Sequence, residues 1–500
     1  MGQNMNVGFN NEKYIKLQSE KIRERIRDFG GKLYLEFGGK LYDDYHASRV
    51  LPGFEPDSKL QMLLKLKEKA ELIIVINAND IEKNKVRGDL GITYDLEVMR
   101  LIDAFNNFEL FVGSVVITCF TEQPNAISFK QYLESMGIKV YLHYPISGYP
   151  TNVNLIVSEQ GYGKNQYIET SRELIVVTAP GPGSGKMAVC LSQLYHENLR
   201  GVKAGYAKFE TFPIWSLPLK HPVNMAYEAA TVDLDDVNMI DPFHFDRYGE
   251  LATNYNRDVE IFPVLEATFD RILGKSPYLS PTDMGVNMVG FCIDDDQIVC
   301  NAAKQEIIRR YYSAKCAQVQ GDPCEVEIGK LELIMQQAGI TPEDRVVIAH
   351  ALEKEAETSG PAVAIQLTNG QIVTGKTSSL LGASSAALIN ALKVLANIPD
   401  NVDLISPVYI KPIQALKVGH LKNKNPLLHI DELLIALTIA STRNENAKNA
   451  LECLNLLNGA EAHSSVILSQ VDQNNFKKLG VRLSCEPKYQ TKALYHPKNY

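Results

Sequence analysis

Through roughly its first 220 residues the chain alternates short apolar runs with segments of helical spacing, and this limits its architecture more than any other feature. "AELIIVINA", "GSVVITCF", "KVYLHYPI" and "RELIVVTAP" are rich in β-branched, aliphatic and aromatic residues and short enough to be strands. "TYDLEVMRLIDAFNNF" and "NAISFKQYLESMGI" repeat apolar residues at intervals of three and four, as helices do. Such alternation predicts an α/β fold with a mainly parallel sheet, helices on its faces and ligands at the carboxyl ends of its strands. "KLYLEFGG" and "KLYDDYH" read as a hairpin or paired strands at the start of this region.

A chain of 500 residues is too long for one core. From about Met225 to Ile340 the pattern turns helical and charged, as in "AAKQEIIRRYYSAKCAQVQ", without strand alternation. Strands resume in the last 155 or so residues. The expected division is an α/β phosphate-binding domain over 1–224, a helical domain or insertion over 225–345 and a C-terminal α/β domain over 346–500. A net charge of −8 argues against non-specific nucleic-acid binding. Eight cysteines without a C-x-x-C pair fit free thiols in a reducing compartment. Neither a signal peptide nor an apolar run of membrane-spanning length is visible, so the sequence reads as cytoplasmic.

Two stretches compete as phosphate cradles. "GQIVTGKT", from Gly370 to Thr377, matches the G-x-x-x-x-G-K-[ST] pattern in full. Its Ile372, Val373 and Thr374 favour a pleated strand, and Asn369-Gly370 is a hairpin turn signal, so it reads as a hairpin strand. "VTAPGPGSGKMAVC" misses the pattern at Pro180 and Met187 but has its context: an apolar strand, a loop, a lysine and a helix. There the backbone N–H groups of Gly181, Gly183, Ser184 and Gly185 would face a phosphate at a helix N-terminus, and Lys186 would reach its outer oxygens. The bland alternative is a strand-to-helix turn with a solvent-facing lysine.

Other polar residues cluster near these runs. Lys40, Asp43, Asp44, His46, Arg49 and Lys59 follow the first strand, and a His and Arg three apart suit either a surface loop or an anion grip. Lys83, Lys85, Arg87 and Asp89 form a similar segment. Lys208 and Glu210 lie in an expected strand, and Asp241, His244, Asn256, Arg257 and Asp258 follow. Each has a plain reading as a helix cap or surface ion pair. As catalytic candidates the set is Lys208, Asp241, His244, Arg257, His46 and Arg49; as metal candidates it is Asp233, Asp235 and Asp241.

Five segments, "KLYLEFGGKLYDDYHASRVLPGFEPDSK", "KNKVRGDLGITYD", "VTAPGPGSGKMAVCLSQLYHE", "AKFETFPIWSLPLKHPVNMAYEAATVDL" and "GQIVTGKTSSLLGASSAALINALKVLA", together resemble uncharacterised protein family 0371, domain-of-unknown-function family 1846. The resemblance runs over essentially the whole chain and implies a three-part cytoplasmic protein; it names no activity. The hairpin "NGQIVTG" with the helix "GASSAALINALKVL" is similar to the start of the cytidine-deaminase-like fold. Zinc-dependent members carry a His or Cys ligand and a catalytic Glu there, with P-C-x-x-C later. Ala383, Ser384, Ser385 and Ala386 stand in that place here and P-C-x-x-C is absent, so no zinc is expected.

The leading expectation is an enzyme that binds a nucleotide or other small phosphorylated ligand at Gly181 to Lys186 and transfers a phosphoryl or nucleotidyl group, with magnesium as its cofactor. The alternative is a ligand-sensing or scaffold protein using the same pocket, with homo-oligomerisation open. A hydrolase or transferase using His46 or His244 with Cys190 is the third reading. Neither nucleic acid nor membrane is an expected partner.

Overall fold

The computed structural model describes residues 7–39, 41, 44–87 and 91–490. Its centre is a seven-stranded sheet of β1 (Leu33–Phe37), β2 (Ala70–Asn77), β3 (Phe111–Thr118), β4 (Val140–Leu142), β5 (Leu174–Thr178), β6 (Gly205–Phe209) and β7 (Gly285–Val286). The order is β7-β6-β1-β5-β2-β3-β4, and every pairing is parallel. Parallel strands need crossovers, so helices cover both faces and the strands read as continuous apolar runs. Leu33, Leu35, Leu72, Ile74 and Val176 point into one core. Tyr34, Ile73, Val75, Ile175, Val177 and Tyr206 point into the other.

The helices that matter below are α1 (Asn11–Asp28), α2 (Tyr45–Val50), α3 (Lys186–Leu199), α4 (Asn256–Leu273), α5 (Asp296–Val319), α6 (Val347–Thr358) and α7 (Ala383–Leu395). Helices α3 and α4 supply Val189, Leu194, Phe262 and Phe269 to the second core. The chain builds β1 to β4 toward one edge, then returns to place β5 between β1 and β2 and β6 on the far side of β1. In open α/β sheets such a reversal, at the carboxyl ends of the strands, is where ligands are expected.

Two expectations are corrected here. β1 takes no hairpin partner, since both its neighbours, β5 and β6, run parallel to it. Lys40 and Asp43 lie outside the described residues, as does Asp89, and the chain from Tyr45 is helical. The stretch from Met225 to Ile340 is not purely helical. It holds an antiparallel ribbon, Asn238–Ile240 with Thr253–Tyr255, and it supplies β7 to the main sheet. These strands are two or three residues long and partly polar, too short for a period of two to show.

The C-terminal sheet runs β9-β8-β10-β11 from β8 (Ala362–Gln366), β9 (Ile372–Lys376), β10 (Glu461–Ser464) and β11 (Arg482–Cys485). Only its last pair is parallel. "GQIVTGKT" is the hairpin strand β9, paired antiparallel with β8, and Gly370 takes a φ of +86° in the connecting turn. Gly375 is held by a close approach, since a Cβ there would sit 2.1 Å from the backbone nitrogen of Ala387 in α7. Among the described residues no helix is long and apolar enough to cross a membrane.

Candidate functional site

The loop from Ala179 to Gly185 joins β5 to α3 at the sheet's reversal point. Gly183 and Gly185 have φ of +75° and +89°, a region that L side chains enter at a cost of about 1 kcal/mol. A Cβ on Gly181 would lie 2.3 Å from the Tyr94 hydroxyl. The loop is held from below: Thr118 Oγ1 donates to the Ser184 carbonyl at 2.6 Å and Asn77 Nδ2 to the Gly183 carbonyl at 3.4 Å. In a trans peptide the N–H points opposite the C=O. The amides of Ser184 and Gly185 therefore face away from the ends of β2 and β3.

Helix α3 begins at Gly185 without a side-chain cap, so the amides of Lys186, Met187 and Ala188 keep the positive end of the helix dipole uncompensated. Ser184 is 1% exposed, and its hydroxyl has no hydrogen-bond partner among the described residues. Leaving a buried hydroxyl unmatched costs about 1–3 kcal/mol. Lys186 is half-buried rather than solvent-facing; burial lowers its pKa from the ordinary value against the opposing pull of Glu36.

Glu36 and Lys208 are register partners on β1 and β6, two residues beyond Tyr34 and Tyr206, and so project on the α3 face of the sheet. Tyr206 donates its hydroxyl to Glu36 Oε2 at 2.6 Å. Lys208 Nζ contacts the Tyr255 hydroxyl and Asp258 Oδ2 and lies 2.7 Å from Glu210 Oε1. Burial works against the charge on Lys208, but Asp258 and Glu210 override it and hold its pKa well above the ordinary range. Burial raises Glu210 to about 7; Lys208 opposes the rise and Asp258 adds to it. A carboxyl titrating there is matched to proton transfer at neutral pH.

Glu210 also sets a pH signature. The folded protein keeps this proton to about 7, whereas an ordinary glutamate loses it near 4.5. Between those values the native state binds the extra proton, so stability falls as pH rises. Denaturation of wild type and Glu210→Gln from pH 4.5 to 7 is expected to show the variant gaining up to roughly 3 kcal/mol relative to wild type across that window. Parallel curves would contradict the assignment.

The remaining candidates sit elsewhere. Asp241 is fully buried and caps Pro242–Tyr248: Oδ1 accepts from the His244 amide at 3.0 Å, and Oδ2 from the Thr282 amide and hydroxyl at 3.1 and 2.6 Å. His244 lies 3.1 Å from the Ser280 hydroxyl. Asp235 is exposed and paired with Lys330; Asp233 belongs to a short 3-10 turn beside it. Arg257 pairs with Asp236 at 2.7 Å and stacks 5.7 Å from the Tyr255 ring, at the border of the Lys208 cluster. His46 and Arg49 lie on α2 and face Glu306 of α5. The structure thus gathers Lys186 and Lys208 with Glu36, Glu210 and Asp258. Glu36 and Tyr255 escaped the sequence reading, though a lone carboxylate inside "KLYLEFGG" was a usable signal.

A second cluster also escaped it. His221 Nε2 lies 2.9 Å from Asp296 Oδ1 and 3.5 Å from the Cys300 sulfur, the last two being one turn apart on α5. The three could meet on one metal ion. Burial and Asp296 push the Cys300 thiol up to about 11, so it is protonated at neutral pH in the absence of an ion.

These features define a mixed α/β protein with a large parallel sheet and a glycine-rich loop between β5 and α3. The chain matches the profile of the domain of unknown function DUF1846, N-terminal, over residues 7–339 and that of its C-terminal counterpart over residues 343–495. It is 58% identical over 489 residues to a UPF0371 protein of Streptococcus pyogenes serotype M5 (strain Manfredo), covering 98% of this chain and 99% of the relative. A UPF0371 protein of Streptococcus pneumoniae (strain JJA) is 58% identical over 487 residues, 97% of this chain and 99% of the relative. The chain belongs to the UPF0371/DUF1846 family.

Proposed function

We propose that the protein is an enzyme that binds the phosphate of a nucleotide or another small phosphorylated molecule at Gly181–Lys186 and transfers a phosphoryl or nucleotidyl group. The observation that carries the reading is the buried, unpartnered Ser184 hydroxyl beside the uncapped start of α3. A phosphate oxygen would satisfy that hydroxyl and the helix amides together. Lys186 would balance its charge, and Glu210 would take the acceptor's proton as the new O–P bond forms and the old P–O bond breaks. Glu36, whose only carboxylate hydrogen bond among the described residues comes from Tyr206, is the acid placed to hold magnesium arriving with a nucleotide. Asp235 and Asp241 are engaged elsewhere and Asp233 lies in the turn beside Asp235, so none of the three is needed for this scheme.

Calorimetry with a panel of nucleotides and sugar phosphates tests it. Wild type is expected to bind at least one, and Lys186→Ala to weaken it by about 10- to 100-fold, the worth of one charge-assisted contact. Absent binding, or binding indifferent to Lys186, rejects the reading. Tight binding without product in the presence of magnesium assigns the pocket to ligand sensing instead. We further read the C-terminal domain as cytidine-deaminase-like, on the strength of the β8–β9 hairpin followed by the alanine-rich α7.

A further inference from the structure

A cavity of about 1590 Å³ lies between α2, α5 and the C-terminal sheet, far larger than the roughly 300–1,000 Å³ of ordinary ligand pockets. Its charged lining comprises six cations, Arg49, Arg309, Arg310, Lys477, Lys478 and Arg482, against two carboxylates, Glu55 and Glu461. In a chain of net charge −8 that excess is a local construction. Glu461 is already engaged, by Arg345 at 2.7 Å and by Arg482 at 3.3 Å.

Behind the wall, one buried carboxylate serves three guanidinium groups. Arg309 holds Glu306 with two hydrogen bonds, of 2.6 and 2.7 Å. Arg49 Nε and Arg310 Nε pair with the same carboxylate at 3.1 and 3.0 Å, so its two oxygens are shared among three guanidinium groups. His46 Nε2 is buried and has no hydrogen-bond partner among the described residues. Burial, with Arg310 and Arg49 adding to it, keeps the His46 ring uncharged down to about 4, and burial and its neighbouring arginines lower Arg310 to about 10. A solvated basic surface would show neither a buried unmatched ring nitrogen nor this crowding of like charge.

We infer that this cavity is a second anion site, which takes the phosphate group of a small phosphorylated molecule between Arg49, Arg309 and Arg310 on one side and Arg482 of β11 on the other. A guanidinium fork matches phosphate oxygens two at a time, and the remaining volume houses the organic part of the ligand. Because Arg482 also donates to the Ser48 carbonyl of α2 at 3.1 Å, an occupied site ties the C-terminal sheet to the parallel-sheet domain. The inference shares no residue with the glycine loop and does not rest on it.

Inorganic phosphate titrated into the full chain carrying Lys186→Ala, at ionic strength fixed with sodium chloride, isolates this site from the loop. Saturable binding is expected to persist and to weaken at least about tenfold on adding Arg310→Gln or Arg49→Gln. The thermal midpoint of the Lys186→Ala protein gives a readout that needs no arginine variant: it rises with phosphate at constant ionic strength. A flat midpoint, absent saturation, or binding that survives both folded arginine variants unchanged overturns the inference.

Discussion

Glu306→Gln is expected to destabilise the protein by about 3–5 kcal/mol at pH 7, because it strips the buried carboxylate that Arg49, Arg309 and Arg310 share. Burial favours the protonated Glu306, but the three guanidinium groups override it and hold its pKa well below the ordinary carboxylate range. A depressed carboxylate contributes stability above its unfolded pKa and loses it only as pH falls through the folded value. The full contribution is therefore present at neutral pH, where urea denaturation of wild type and variant measures it. Equal midpoints would show that the arginines are solvated well enough to dispense with Glu306.

Arg345→Met is expected to cost a similar amount, about 3–5 kcal/mol, for a different reason. Arg345 is among the largest fully buried side chains and sits where the chain passes into α6. Its Nη2 donates to the Ala462 and Arg482 carbonyls at 3.0 and 2.6 Å, its Nε to the Ser484 hydroxyl at 2.8 Å and its Nη1 to Glu461 at 2.7 Å. Methionine fills the volume but donates nothing, so all four acceptors lose these bonds at once, and Ser484 and Glu461 are left with His463 and Arg482. Hydrogen exchange should show β10 and β11 opening well before β1 and β5 in the variant. Unchanged protection of β10 and β11 would mean that water replaces the guanidinium there.

The alternation of apolar runs and helical periods made the parallel sheet legible, since strands buried on both faces advertise themselves by composition. The strand order was not legible. Nothing local tells β5 to enter between β1 and β2, because that choice is decided by packing between residues about 100 apart in sequence. The glycine loop could be found because its glycines and its lysine are contiguous. The acid–base cluster was half visible: Lys208, Glu210 and Asp258 stand out as charged residues, whereas Glu36 lies inside an apolar strand and Tyr255 ends a short ribbon. Asp241 and His244 illustrate the converse, a histidine beside acids whose hydrogen bonds go to capping a helix and bracing a turn. Arg309 and Arg310 were hidden in "IIRRYY", which reads as the solvated face of a helix until the C-terminal sheet closes over it.

The most direct test of the central reading is a crystal of the full chain grown or soaked with inorganic phosphate and solved at a resolution that shows the ion. The account predicts density within hydrogen-bond distance of the Ser184 hydroxyl and the amides at the start of α3, with the Lys186 ammonium turned onto it. A loop that stays bare while phosphate occupies other sites, or a Ser184 hydroxyl satisfied by a protein group, would contradict it.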